Sequence, residues 1–151
     1  LVLDPFEPGN LCAEWLALGI VRWMQVRAAA PNGPRNLWSL YEAGANLAGQ
    51  PAGAEQPNVP GQPCRGILYP FTKPEPGAWH SPWHAYKLEP TKEVVRMVLR
   101  HHRGDPEKRL NFVTTEMINL PDYAHNARFS LIEQNAAIAR FVRETWDGMG
   151  G

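Results

Sequence analysis

Glu116 is the side chain whose type and setting most invite chemistry. It stands near the end of residues 110–118, LNFVTTEMI, a run rich in the β-branched and aromatic types that favour a strand. By the two-residue period of a strand, Leu110, Phe112, Thr114 and Glu116 share one face. A carboxylate in line with apolar residues is costly unless it is paired, hydrogen-bonded or metal-bound. Glu116 is therefore read as a metal ligand or general base, weighed against a strand-end Glu paired with Arg128 or a lysine. Asp4 has the corresponding place after a first short strand and is the second candidate ligand, weighed against a turn-forming Asp before Pro5. Glu7 is a weaker candidate of the same kind.

The loops add further groups. Trp79, His80, Ser81, Pro82, Trp83 and His84 follow one another without a break. His80 and His84, four apart, could share a metal on a helix. Pro82 between them argues against one, and no HExxH pattern is present. Trp79 and Trp83 read as a stacking wall for a sugar ring, against a packed aromatic lid whose histidines only hydrogen-bond. After Glu116 come Asp122, His125 and Arg128. Arg128 has the fork geometry to hold an anion or a hydroxyl-rich substrate, against an ion pair with Asp122 or Glu133. His101 and His102 are read as structural, because a positive charge is favoured at a helix carboxyl end. No phosphate-cradling glycine loop, nucleophile elbow or basic-aromatic stripe occurs.

Elements must position these groups. Asn10 can cap a helix spanning 11–29, stopped by Pro31-Asn32-Gly33-Pro34. A short helix is expected at 36–43. Residues 45–63 are nearly a linker in composition and are read as a long surface loop. GILYPF, residues 66–71, is the next strand, and Pro70 ends its pairing. Pro90 suits the first turn of a helix that runs to His101 or His102, with Gly104 as its stop. The strand at 110–118 follows. Ser130 with Glu133 then forms a capping box for a helix with Leu131, Ile138, Val142 and Trp146 on its apolar face. With a strand at 1–3 the order is β-α-β-α-β-α, which implies an α/β fold with a parallel sheet and right-handed crossovers. The active side of such a sheet is the carboxyl end of its strands, where Glu116 lies.

The 151 residues suffice for a single domain over 1–151, and 44% of them are apolar, which excludes wholesale disorder. Fifteen basic against fifteen acidic residues leave no cationic excess to favour nucleic acid or an anionic membrane surface. No stretch reads as a signal peptide or a membrane span. The two cysteines, Cys12 and Cys64, fit no zinc spacing and are expected to be free thiols of a cytoplasmic protein. The opening Leu-Val-Leu-Asp looks like the middle of a strand, so the chain reads as a piece of something longer.

Residues 113–118 (VTTEMI) and 121–146 (PDYAHNARFSLIEQNAAIARFVRETW) resemble the final βα unit of xylose-isomerase-like barrels of the AP-endonuclease family 2 type, in particular bacterial sugar isomerase/epimerase-like proteins. Residues 76–99 (PGAWHSPWHAYKLEPTKEVVRMVL) resemble the loop and helix before that unit, and LDPFEPGN, residues 3–10, is a looser match. The resemblance implies a (β/α)8 barrel that isomerises or epimerises a small sugar with a divalent metal (manganese, magnesium, cobalt or zinc). Glu116 then matches the metal-binding and acid/base Glu of the last strand, and Asp4 an earlier Asp ligand. The usual His ligand has no counterpart in GILYPF, and His80 or His84 would have to replace it from the loop. Trp79 and Trp83 would cover the sugar, while Lys73, His125 and Arg128 would hold its hydroxyls. Three βα units fall short of the roughly 200 residues a barrel needs, so the missing half is expected from a longer chain or from self-association. The alternative is a non-catalytic carbohydrate-binding or interaction domain on this fold. A phosphodiesterase acting on damaged DNA is disfavoured by the neutral charge and few histidines.

Overall fold

The computed structural model describes residues 4–30, 68–107, 109–119, 124 and 127–150. These build a small α/β unit with a two-stranded parallel sheet and three α-helices. In chain order they are α1 (Leu11–Ala17), β1 (Trp23–Val26), α2 (Glu89–Arg103), β2 (Phe112–Thr115) and α3 (Leu131–Gly148). A 3-10 turn, Ala85–Leu88, leads into α2. The strand expected at 1–3, the helix at 36–43, the loop at 45–63 and Cys64 lie outside the described residues.

The single helix expected at 11–29 is instead a helix followed by a strand. Asn10 caps α1 as anticipated, its Oδ1 accepting from the Ala13 N–H at 3.1 Å. Gly19, at φ +66°, then stops the helix. Its N–H donates to the Leu16 carbonyl at 2.9 Å, and the Ile20 N–H to the Trp15 carbonyl at 3.3 Å. This is the Schellman closure, which needs a left-handed residue just past the last turn. Beyond it the burial alternates in the strand manner: Met24 and Val26 are buried, Trp23 and Gln25 exposed.

β1 pairs with β2 in parallel, Trp23 beside Phe112 and Val26 beside Thr115. The strand expected at 110–118 is regular only at its centre. The residues at 68–71 also depart from expectation. Leu68 makes one antiparallel bridge with Ala29, not a parallel strand, and the Tyr69 N–H donates to the Ala28 carbonyl at 2.9 Å. Pro70, fully buried, cannot donate to a ladder, so pairing stops there.

Helices cover one face of the sheet. Val95, Val98 and Leu99 of α2 and Ile138 of α3 share the core with Met24, Val26 and Met117. Full burial of such a side chain stabilises by about 1.5–3 kcal/mol. The capping of α3 is as expected, Ser130 Oγ accepting from the Glu133 N–H at 3.2 Å. The face of β2 carrying Glu116 is not the buried one. Phe112 is 68% exposed and Trp23 beside it 56%, whereas Met117 is buried. The core lies on the Val113–Met117 side, because that is the side α2 and α3 cover.

Candidate functional site

Parallel register brings the site together. Arg27 follows the last residue of β1 and Glu116 the last residue of β2, so the two stand side by side at the carboxyl ends of paired strands. Arg27 Nε donates to Glu116 Oε2 at 2.8 Å, and a terminal guanidinium nitrogen lies 2.7 Å from the same oxygen. Gln25 Nε2 donates to that oxygen as well. The Glu116 side chain is 12% exposed and that of Arg27 46%. The ion pair weighed against ligation in the sequence named Arg128 or a lysine as the partner, and Arg27 was placed on a helix. Gly19, as a helix stop between α1 and β1, was the signal that would have put Gln25 and Arg27 on or beside a strand.

The backbone around Glu116 is fixed on both sides. Its N–H donates to the Val26 carbonyl at 3.0 Å. The next residue, Met117, is held by the Asn135 side chain, whose Oδ1 accepts from the Met117 N–H and whose Nδ2 donates to the Met117 carbonyl, each at 3.0 Å. Asn135 is thus a positioning residue from α3 that sequence reasoning missed. Its spacing from Leu131, whose carbonyl it also meets at 3.0 Å, was the available hint.

Along the bare face of the sheet, polarity rises toward this end. Trp23 and Phe112 come first, Gln25 and Thr114 next, then Arg27 and Glu116. Trp23 Nε1 donates to Thr114 Oγ1 at 3.2 Å.

The other candidates have their own surroundings. Asp4 is exposed, and its Oδ1 accepts from the Phe6 N–H at 2.9 Å, the turn-forming role weighed against ligation. Trp79 is buried, edge-on to Tyr69 and Phe129 at 6.0 and 6.1 Å, with the His80 ring 4.0 Å from its own. Its indole faces protein. His80 Nδ1 lies 2.8 Å from Ser81 Oγ. Trp83, partly buried, donates to the Pro70 carbonyl at 2.8 Å. His84 is exposed; its N–H donates to the Tyr69 hydroxyl at 2.8 Å, and its ring stacks beside Tyr86. No helix spans His80 to His84, so the four-residue spacing does not set the two rings on one helical face. Lys73 and Arg128 are exposed, while Asp122 and His125 lie outside the described residues. Among the described residues no three His, Cys, Asp or Glu side chains gather into a metal-holding group.

A second polar cluster lies toward the amino end of β2. Asp105, with a side chain only 2% exposed, accepts from Arg109 Nε at 3.0 Å and from the Glu107 N–H at 2.9 Å. The Arg109 hydrogen bond first, and that backbone N–H next, lower the Asp105 pKa to about 2. His102 Nδ1 lies 3.6 Å from Asp105 Oδ2. Burial, and then the neighbouring His101, push the His102 pKa down, with Asp105 opposing them. A cavity of about 600 Å³ adjoins this cluster, lined in part by His102, Asp105, Val113 and Trp146. Glu116 is not part of it. Cys12 is a buried free thiol whose pKa burial raises, which leaves it inert.

No family model, curated protein or solved structure matches this chain. Among the described residues no helix is long and apolar enough to cross a membrane.

Proposed function

We propose that this chain forms part of a barrel of parallel βα units that acts on a small sugar, with Glu116 at the centre of the site. The observation that carries the reading is the polarity gradient on the bare face of the sheet. In a (β/α)8 barrel the inner face of the strands is packed with side chains, and the working groups stand at the carboxyl ends. Trp23 and Phe112 suit the packed layers, and Arg27 and Glu116 suit the working end. Further strands, from a longer chain or a second copy, would cover the exposed aromatics. The resemblance of residues 113–146 to xylose-isomerase-like proteins supports the same reading.

In this reading Glu116 moves a proton to or from a carbon or hydroxyl beside the sugar carbonyl. Arg27 and Gln25 fix the orientation of its carboxylate, and Asn135 fixes the backbone beyond it. Arg128 and Lys73 are exposed cations that could hold hydroxyls. A divalent metal, when bound in such proteins, polarises adjacent sugar oxygens. The described residues do not make a ligand set for it: Glu116 is held by a guanidinium, and Asp4 closes a turn.

A second reading, a carbohydrate-binding domain without catalysis, is favoured by the engagement of Glu116 with both Arg27 and Gln25. A panel of aldoses and ketoses followed by NMR separates the two. Interconversion that Glu116→Gln abolishes supports the isomerase-type reading. Saturable binding without conversion supports the second. No binding by any sugar sinks both.

A further inference from the structure

We infer that the cationic partner of Glu116 is Arg27, and that this guanidinium excludes a divalent metal from the carboxylate. The inference rests on Glu116 being the centre of the proposed site, and it departs from the metal-ligand role that the sequence resemblance implies. Two guanidinium nitrogens lie 2.8 and 2.7 Å from one carboxylate oxygen, and Gln25 donates to the same atom. A metal on that oxygen would sit within a few ångströms of a fixed positive charge, a repulsive arrangement made stronger by partial burial. The arrangement is built by the fold. Strand register sets Arg27 opposite Glu116, and the Val26 carbonyl and Asn135 hold the backbone on either side of the carboxylate. Arginine suits this role, since its charge persists at any working pH and its fork matches a carboxylate. The site thereby recognises an uncharged, hydroxyl-rich ligand through paired donors and acceptors, with charge compensation internal to the chain.

Manganese broadening of the Thr115, Glu116 and Met117 amide signals tests this in the whole chain, free of any sugar. The wild type is expected to show no selective broadening at about 1 mM manganese, enough to half-fill a site with a Kd of about 1 mM. Arg27→Gln, which removes this guanidinium, is expected to show it, and Arg27→Lys to resemble the wild type. Selective broadening in the wild type that Glu116→Gln removes would overturn the inference. So would an Arg27→Gln variant that folds, by its amide spectrum, yet stays unbroadened. If Arg27→Gln does not fold, Arg27→Met, neutral and of similar length, takes its place: selective broadening in that variant supports the inference, and a folded Arg27→Met that stays unbroadened overturns it. Sugar binding is a separate readout: its absence would fail the proposed function and leave the assignment of Arg27 standing.

Discussion

Gln134 holds the chain entering the aromatic loop through Phe71: its Oε1 accepts the Phe71 N–H at 2.7 Å, and the Thr72 N–H at 3.1 Å. Its Nε2 donates to Thr72 Oγ1 at 2.8 Å. A buried amide on α3 thus satisfies a segment that has no ladder of its own. Gln134→Ala would strand the buried Phe71 N–H, and an unsatisfied buried donor costs about 1–3 kcal/mol. Chemical denaturation is expected to show a loss in that range, with Gln134→Glu retaining part of it because one acceptor oxygen remains.

Gly19 and Arg109 are coupled through space. A Cβ built on Gly19 would lie 2.8 Å from an Arg109 guanidinium nitrogen, and its φ of +66° strains any other L-residue. Gly19→Ala is expected to destabilise by about 1–2 kcal/mol, the usual cost of the left-handed conformation. If thermal unfolding shows no loss, the closure of α1 at Gly19 is wrong, and a longer helix through Trp23 regains ground.

Acid sensitivity should come in two windows. The Asp105 pKa is lowered from 3.8 to about 2. Its contribution is full above the unfolded value and is lost as pH falls from about 4 toward 2. His102 is a base whose folded pKa lies below its ordinary 6.5. The unfolded chain takes up that proton first, so this stability is full above about pH 6.5 and declines as pH falls below it. Unfolding midpoints measured from pH 8 to pH 2 should show both slopes. His102→Gln is expected to flatten the upper one and Asp105→Asn the lower, and a wild-type curve flat from pH 7 to 5 would refute the His102 assignment.

The Arg27–Glu116 pair should matter more for the site than for folding. With Arg27 about half exposed, solvent screening limits such a pair to about 0–1 kcal/mol. A double-mutant cycle with Arg27→Gln and Glu116→Gln is expected to give a coupling within that range. A coupling above about 2 kcal/mol would mark the pair as a structural element in its own right.

Elements set by local chemistry were legible in the sequence. Pro90 and Gly104 bracket α2, Ser130 begins α3 and Asn10 begins α1, because caps and breakers act through their nearest backbone groups. Asn10→Ala and Ser130→Ala should each cost about 1 kcal/mol by the same local logic, as chemical denaturation would show. The α/β class was legible too, as was a strand with Glu116 near its end followed by a helix. Residues 20–26 were not, because apolar side chains there fit a helical and a strand period about equally well, and Gly19 was read as one more residue of a helix.

The sequence by itself determined where the helices start, at Asn10, Pro90 and Ser130, and that Glu116 stands near the end of a strand. Only the tertiary structure decided what Glu116 touches. Its partner Arg27 is 89 residues away in the chain, and no local rule reaches that far. Strand register sets them side by side, and register depends on which faces α2 and α3 bury. The same contacts decided that Phe112 faces outward and Met117 inward: alternation along a strand defines two faces, and only the layer packed against one of them says which is the core.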